Sequence, residues 1–369
     1  MKTAVFLVIL LAFPFSCLVS QQPVVIAYAG GYNGKLISTD KMEADKLTHL
    51  LYAFANLRRD GTVYLQYPAT DKTNLTRLVA LKKVNPALKV LLSVGGLGWS
   101  VNFSNVSANA ESRNRFSLSC AKLVQQFNLD GIDLDWEFPG YAGEGGDPYQ
   151  EADKHNFTLL CQALRSALHA QQQRTAKVYT ITAATDGWAS HYLPHTEMDK
   201  VQASLDYVLL MTYNFNKDGL AGGHYLYSPH DWYQEGSVDG AVNAFMAAGV
   251  PASKLVAGAG FFPAALLMYS TAPADRSYVK KQVFKGGLAR VARLNRQDGF
   301  IRYWDTAAKS PFLFNPVSRV RIAYEDSASV EHKCAYILRR QLAGIMYWEY
   351  FLDPGGRLLN VINNSFRNK

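Results

Sequence analysis

The chain has 369 residues, a length that suits either one large domain or two smaller ones. Hydrophobic residues make up 49% of it and charged residues 18%, a balance that supplies a large core and excludes disordered, collagen-like and coiled-coil proteins. The formal net charge is +8, but Lys and Arg are spread along the chain without a run or a nucleic-acid-binding motif, so no nucleic-acid partner is expected. The aromatic content of 12% offers flat apolar faces, which protein cores and sugar-binding clefts both use.

Residues 1–20 have the pattern of a secretory signal peptide. A basic start at Lys2 is followed by a short apolar run that Pro14 interrupts, and the run is shorter than the roughly 20 residues of a spanning helix. The pattern predicts cleavage near Ser20 and a secreted mature chain. The alternative is a lipoprotein signal ending at Cys17, which would leave the chain periplasmic or lipid-anchored. No other segment predicts a membrane span.

Eight short, apolar, strand-like runs follow, and most of the intervals between them have helical periodicity. The runs are Val24–Tyr28, His49–Ala55, Lys89–Val94, Gly131–Asp135, Val178–Ala183, Tyr207–Thr212, Leu255–Gly260 and Gly344–Trp348. Such alternation predicts an α/β fold, the (β/α)₈ TIM barrel. The interval between the seventh and eighth runs is much longer than the others, so residues 21–369 are predicted to form one barrel with a small α+β insertion at about 263–321.

Three cysteines remain after the leader, namely Cys120, Cys161 and Cys334. They form no CxxC or Cys/His pattern, so neither a metal site nor a cofactor is expected. Each lies in a helix-like apolar stretch, which favours buried thiols. A Cys120–Cys161 disulfide is the alternative in an oxidising compartment.

Four acidic residues lie on or beside the fourth run, at Asp130, Asp133, Asp135 and Glu137. Alternate residues of a strand share a face, so the last three are expected to point into the barrel while the apolar residues between them face the helices. Buried like charges repel and lose hydration, which makes such a row hard to explain as structure. A solvated edge strand does not explain the intervening apolar residues, and the spacing lacks the frame of a calcium loop. Glu137 falls at the carboxyl end of its strand, where barrel active sites lie.

The segment Asp130–Glu137 (DGIDLDWE) resembles the DxxDxDxE signature of family 18 glycoside hydrolases, the chitinases. Three other segments resemble motifs of that family in the family's order: Leu92–Gly96, Met211–Tyr213 and Gly344–Glu349. The likeness covers nearly the whole mature chain.

The resemblance implies a secreted chitinase that cleaves β-1,4-linked N-acetylglucosamine by a retaining, substrate-assisted mechanism. It implies that Glu137 protonates the leaving oxygen while the substrate's own acetamido oxygen attacks the anomeric carbon. It further implies that Asp135 orients the acetamido group, that Asp133 shares a proton with Asp135, and that Tyr213 donates to the acetamido oxygen. Asp130 faces away from the others by register and is expected to be structural.

The resemblance also implies a cleft lined by aromatic and polar side chains. Trp348 is the expected floor beneath the sugar, and the other expected lining residues are Tyr28, Phe54, Trp99, Met211 and Asn214. Trp188 and Trp232 are further rings placed where a cleft would use them. The expected partners are chitin or N-acetylglucosamine oligosaccharides, bound by a monomer.

Three positions depart from the family pattern. Asn214 stands where Asp is common, which predicts that Glu137 gives up its proton at lower pH. Leu97 stands where an aromatic residue usually follows the two glycines, and Phe261–Ala264 stands where a Tyr-Gly-Arg run is common.

Two alternative functions use the same barrel. One is an endo-β-N-acetylglucosaminidase acting on N-glycans, and the other is a non-catalytic, chitin-binding lectin. The presence of Glu137 argues against the lectin, and the long insertion before the last strand favours the chitinase.

Overall fold

The computed structural model describes residues 22–143, 145–216, 222–229, 235–285, 287–294 and 296–367. The expected leader, with Cys17, and the expected cleft residue Trp232 lie outside these ranges. The strands are β1 (Val24–Gly30), β2 (His49–Leu57), β3 (Val63–Leu65), β4 (Lys89–Gly95), β5 (Gly131–Asp135), β6 (Thr180–Asp186), β7 (Tyr207–Met211), β8 (Leu255–Gly260), β9 (Ala264–Met268), β10 (Tyr278–Gln282), β11 (Ile301–Asp305), β12 (Ser310–Asn315), β13 (Val320–Ala323) and β14 (Gly344–Trp348). The α-helices are α1 (Pro68–Ala80), α2 (Phe103–Ser107), α3 (Ala110–Gln126), α4 (Asp153–Thr175), α5 (Ala189–Tyr192), α6 (Met198–Val201), α7 (Val238–Ala247), α8 (Gly287–Val291), α9 (Ser327–Arg340) and α10 (Arg357–Arg367).

Eight parallel strands close into a barrel in the order β1, β2, β4, β5, β6, β7, β8 and β14, and β14 pairs back to β1. These are the eight predicted runs, so the predicted TIM barrel is confirmed. The largest difference in bounds is at β6, which begins after the exposed Val178 and continues until Asp186 pairs with Met211. The short β3, which the sequence did not predict, pairs antiparallel with β2.

The outward side chains of β5 pack against the surrounding helices. Ile132, Leu134 and Trp136 belong to the main hydrophobic cluster, together with Leu160 and Leu164 of α4. Burying this apolar face fixes the register of the strand, because a slip of one residue would exchange its two faces. The acids between these residues are therefore directed into the barrel.

The long interval between β8 and β14 forms a five-stranded antiparallel sheet in the order β10, β9, β13, β12 and β11. One face of this sheet buries Ala265, Leu313 and Ile322 against Val291 of α8. The other face forms a separate cluster that includes Leu266, Met268, Phe312 and Phe314. The insertion therefore has an apolar layer on each side of its sheet.

Cys120, Cys161 and Cys334 are buried free thiols, and Cys120 and Cys161 form no disulfide. Burial raises the pKa of each thiol, which keeps it protonated. Within the described ranges, no helix is both long enough and apolar enough to cross a membrane.

Candidate active site

Asp133 lies at the bottom of the acidic row and is fully buried. Its carboxyl accepts hydrogen bonds from the hydroxyls of Tyr28 (3.0 Å), Ser93 (2.6 Å) and Thr182 (2.5 Å), which come from β1, β4 and β6. Burial raises the pKa of Asp133, and the three hydrogen bonds offset part of this effect. The expected cleft residue Tyr28 thus also fixes this carboxyl in place.

Asp135 lies above Asp133 on the same face of β5 and is 4% exposed. Burial raises its pKa well above the ordinary value, and the charges of Glu137 and Asp133 raise it further. Its Oδ1 atom has no hydrogen-bond partner among the described residues. Asp135 therefore favours its protonated form more strongly than Asp133 does.

Within the described part of the chain, no hydrogen bond joins Asp133 to Asp135. The carboxyl oxygens of Asp133 instead accept hydrogen bonds from three hydroxyl groups. The sharing of a proton between these two acids stays a prediction.

Glu137 follows the end of β5, at the rim of the barrel. Its backbone N–H donates to Ser100 Oγ (3.0 Å), which also lies 3.0 Å from the backbone oxygen of Asp135. On the opposite face, Trp136 is stacked on Phe103 at a centroid distance of 5.4 Å. The buried Trp136 and the Ser100 hydroxyl together fix the backbone from which Glu137 enters the cleft.

Two adjoining cavities meet at Glu137. The first, here called the aromatic cavity, has a volume of about 420 Å³ and is lined by Tyr28, Tyr32, Phe54, Leu97, Trp99, Asp135, Glu137, Met211, Tyr213, Phe262 and Trp348. The second, here called the polar cavity, has a volume of about 340 Å³, and its lining includes Glu137, Tyr141, Asp186, Trp188, His191, Met211, Asn214 and Phe262. All the expected site residues within the described ranges, except the buried Asp133, line one or both cavities.

Trp348 is the centre of the aromatic cavity. Its ring is stacked with Phe54 at a centroid distance of 5.6 Å and with Tyr32 at 5.9 Å, and Tyr28 is tilted against it at 5.5 Å. Trp99 contacts this group through Phe54. The sequence did not indicate Tyr32, because it lies in the loop after β1 and belongs to no motif.

Tyr213 lies two residues beyond β7 and lines both cavities. Burial raises its pKa, and the charges of Asp135, Glu137 and Asp133 raise it further. The hydroxyl therefore keeps its proton at physiological pH and can serve as a hydrogen-bond donor.

His224 connects two segments of the cleft wall, although its own sequence context gave no signal. Its Nδ1 accepts a hydrogen bond from the backbone N–H of Asn214 (3.2 Å), so its Nε2–H is left to donate to the backbone oxygen of Phe262 (3.0 Å). Burial lowers its pKa to about 3, with a further contribution from the charge of Lys333. A neutral imidazole thus holds the loop after β7 against the loop after β8.

The polar cavity contains a second hydrogen-bonded group. Tyr141 donates to Asp186 Oδ2 (2.8 Å), and Asp186 Oδ1 accepts from the backbone N–H of Trp188 (3.0 Å). The Trp188 ring is stacked on His191 at a centroid distance of 5.9 Å. Of these residues, the sequence indicated only Trp188.

Asp130 lies outside the cleft, as expected. It accepts a hydrogen bond from the backbone N–H of Val90 (2.7 Å) and pairs with Lys82 and Lys177. Burial alone would raise its pKa, but the hydrogen bonds from Lys82, Val90 and Lys177 make the net shift downward. Asp130 anchors the start of β5.

Comparison with known proteins places the barrel and its acidic row in a family. Residues 24–353 match the family model described as Glycosyl hydrolases family 18. The chain belongs to this family. The predicted family and the assignment to the glycoside hydrolases are thereby confirmed.

Three relatives illustrate the similarity. Chitinase A1 of Niallia circulans is 34% identical over 313 residues, which cover 78% of this chain and 44% of that protein. Chitinase 1 of Aphanocladium album is 28% identical over 350 residues, covering 86% of this chain and 78% of that protein. The solved structure of the family 18 N-acetylglucosaminidase from Paenibacillus barengoltzii superposes with a TM-score of 0.80 at 35% identity, covering 93% of this chain and 99% of that one. The chain thus spans less than half of the length of Chitinase A1.

Proposed function

We propose that this family 18 protein is a chitinase, which hydrolyses the β-1,4 linkages of N-acetylglucosamine polymers with Glu137 as the general acid. The observation that carries the proposal is the position of Glu137 between two adjoining cavities, beside the buried Asp135. A glycosidic oxygen held at Glu137 has room for sugar on each side. Chitinase A1 and Chitinase 1, whose names state the activity, support the substrate class.

The acids of the aromatic cavity favour substrate assistance over a protein nucleophile. Of the described residues that line the aromatic cavity, the acids are Asp135 and Glu137. Asp135 favours its protonated form, and a neutral carboxyl is a poor nucleophile. The acetamido oxygen of the bound sugar therefore attacks its own anomeric carbon as Glu137 transfers its proton to the leaving oxygen. Water then opens the cyclic intermediate and returns a proton to Glu137, so the product keeps the β configuration.

Three side chains prepare the sugar for this attack. Asp135, which lines the aromatic cavity, accepts the acetamido N–H, and this contact aims the acetamido oxygen at the anomeric carbon. Tyr213 donates its hydroxyl hydrogen to that oxygen, and Trp348 supports the apolar face of the ring. Tyr32, which the sequence did not indicate, and Phe262, from the departing segment Phe261–Ala264, extend the apolar wall.

The test is hydrolysis of an N-acetylglucosamine hexamer by the wild type, Glu137→Gln and the control Glu111→Gln, whose carboxyl is on the surface. We expect Glu137→Gln to lose about 10²–10⁴-fold in rate and the control to keep wild-type activity.

NMR of the first product should show the β-anomer. A hexamer with free amino groups in place of the acetamido groups should resist cleavage. Equal rates for the wild type and Glu137→Gln would remove Glu137 from the mechanism.

Other outcomes of the same assay correspond to the alternative functions. Hexamer binding without hydrolysis by the wild type would indicate a lectin. Cleavage of an N-glycan core in preference to the hexamer would indicate an endo-β-N-acetylglucosaminidase. A second candidate, stepwise release of single N-acetylglucosamine residues, is supported by the name of the Paenibacillus barengoltzii relative. The length of the first products separates that activity from release of chitobiose.

We also propose that residues 1–20 direct the chain out of the cytoplasm, on the basis of their basic start and short apolar run. Amino-terminal sequencing of the protein from culture medium should begin near Gln21. A lipid-modified amino terminus at Cys17 would support the lipoprotein alternative, and a chain that starts at Met1 would contradict both.

A further inference from the structure

The net charge of the chain is concentrated in the insertion. Residues 263–321 contain 11 Lys and Arg residues and 3 Asp residues, an excess of 8 that equals the net charge of the whole chain. The rest of the chain carries 27 basic and 27 acidic residues and is neutral. The basic residues form no continuous run. Their excess over acidic residues nevertheless lies in the insertion and not in the barrel.

Within the insertion, most of the basic residues lie on one short stretch. Six exposed side chains, here called the basic layer, are Lys280, Lys285, Arg290, Arg293, Arg296 and Arg302. Asp298 is the one acidic residue in the sequence between Lys280 and Arg302. Surface charges of one sign raise the local potential and attract charged partners of the other sign.

The fold holds this layer on the outside of the insertion sheet. Phe284, Leu288 and Val291 pack on the sheet face that contains Ala265 and Ile322. Through these apolar contacts the segment around α8 packs over the sheet. The charged side chains of the segment remain in solvent.

Local contacts also order the layer. Arg290 lies over the Phe284 ring, with its guanidinium carbon 4.9 Å from the centroid, and donates to the backbone oxygen of Lys285 (3.1 Å). Arg302 pairs with Asp326 (2.6 Å). Ordering the side chains in advance reduces the entropy that a bound partner must remove.

The insertion directly follows a segment of the cleft wall along the chain. The insertion sheet begins at Ala264, two residues after Phe262, which lines both cavities. The sugar chain of the proposed function is neutral, so it does not account for an excess of 8 positive charges in the insertion. Arg and Lys bind carboxylate and sulfate groups, and Arg does so through paired hydrogen bonds.

We propose that the basic layer binds an acidic polysaccharide, one that carries carboxylate or sulfate groups and surrounds the neutral polymer held in the cleft. The choice of a polysaccharide over other polyanions rests on the proposed function. The binding itself is independent of hydrolysis, so it can be measured whether or not the chain cleaves chitin. Its effect would be to hold the enzyme at mixed matrices that contain both polymers.

The experiment compares two triple variants of the full chain. The layer variant is Lys285→Gln, Arg293→Gln and Arg296→Gln, and the control variant is Lys72→Gln, Lys83→Gln and Lys122→Gln, which removes three exposed charges from the barrel. Fluorescence anisotropy measures binding to labelled polygalacturonate and labelled dextran sulfate over a range of salt concentrations, with uncharged dextran as the blank. Thermal unfolding and hydrolysis of the hexamer should be the same in both variants and the wild type.

We expect the layer variant to bind both acidic polymers at least 10-fold more weakly, and the control variant to stay within about 2-fold of the wild type. The slope of log K against log salt should fall by about 2 in the layer variant, since each lost contact removes about 0.7 by analogy with single-stranded nucleic acids. Equal losses in the two variants would overturn the proposal, as would equal binding to uncharged dextran. Tighter binding to duplex DNA or to anionic vesicles, at equal charge concentration, would assign the layer to a different partner and also overturn it.

Discussion

Asn214 and Glu137 line the same polar cavity, and the amide oxygen of Asn214 accepts a hydrogen bond from Asn216 (2.6 Å). A carboxylate at position 214 would disfavour the charged form of Glu137, because like charges repel. We therefore expect Asn214→Asp to remain active to higher pH than the wild type, with the alkaline limb of kcat/KM displaced by about half a unit to one unit. The measurement is the pH dependence of hexamer hydrolysis. Superimposable alkaline limbs would contradict this electrostatic role.

Asp135 links activity to stability. Burial, and then the charges of Glu137 and Asp133, raise its pKa in the folded chain. The stability that this group contributes is complete below its unfolded pKa of about 3.9 and is lost as pH rises toward the folded value. Asn cannot ionise, so Asp135→Asn should avoid this loss.

We expect Asp135→Asn to lose about 100-fold in hydrolysis while its Tm rises relative to the wild type as pH increases from about 4 to 8. Differential scanning calorimetry at several pH values tests the second effect, with the exposed Asp45→Asn as the control. A Tm difference between Asp135→Asn and the wild type that stays constant with pH would show that ionisation of Asp135 does not limit stability.

At the scale of the elements, His224 joins the loops that follow β7 and β8 through hydrogen bonds of 3.2 and 3.0 Å. These loops carry Tyr213 and Phe262, whose rings meet edge to face at 5.5 Å. Because burial lowers the pKa of His224 to about 3, its imidazole stays neutral over the working pH range.

We expect His224→Ala to lower kcat for the hexamer about 10-fold without moving either limb of the pH profile, since a neutral positioning residue contributes no titration. His224→Gln, which keeps one donor and one acceptor, should recover part of the loss. A displaced pH limb in His224→Ala would show that His224 acts as a charge. Full activity in His224→Ala would show that the two loops hold their positions without it.

The elements differ in how much of them could be predicted. The barrel strands and the acidic row follow from short-range periodicity, because residues that alternate along β5 must take opposite faces. Ser100, Tyr32 and His224 could not be found in this way. Their roles depend on contacts between loops that are distant in sequence, such as the hydrogen bond from His224 to the backbone oxygen of Phe262, 38 residues away. No local pattern encodes which loops the barrel brings together.

For the whole molecule, the described ranges contain three buried free thiols, Cys120, Cys161 and Cys334. The number of thiols also depends on the leader. Cleavage after Ser20 removes Cys17 and leaves three thiols, whereas an uncleaved chain has four. Denatured mature chain should therefore react with three equivalents of iodoacetamide without prior reduction, and native chain should react slowly because burial raises the pKa of the thiols. Intact-mass spectrometry measures both the number of adducts and the processing of the leader. One adduct without reductant and three with it would reveal a disulfide and contradict the structure, whereas a fourth adduct would show that Cys17 remains as a free thiol.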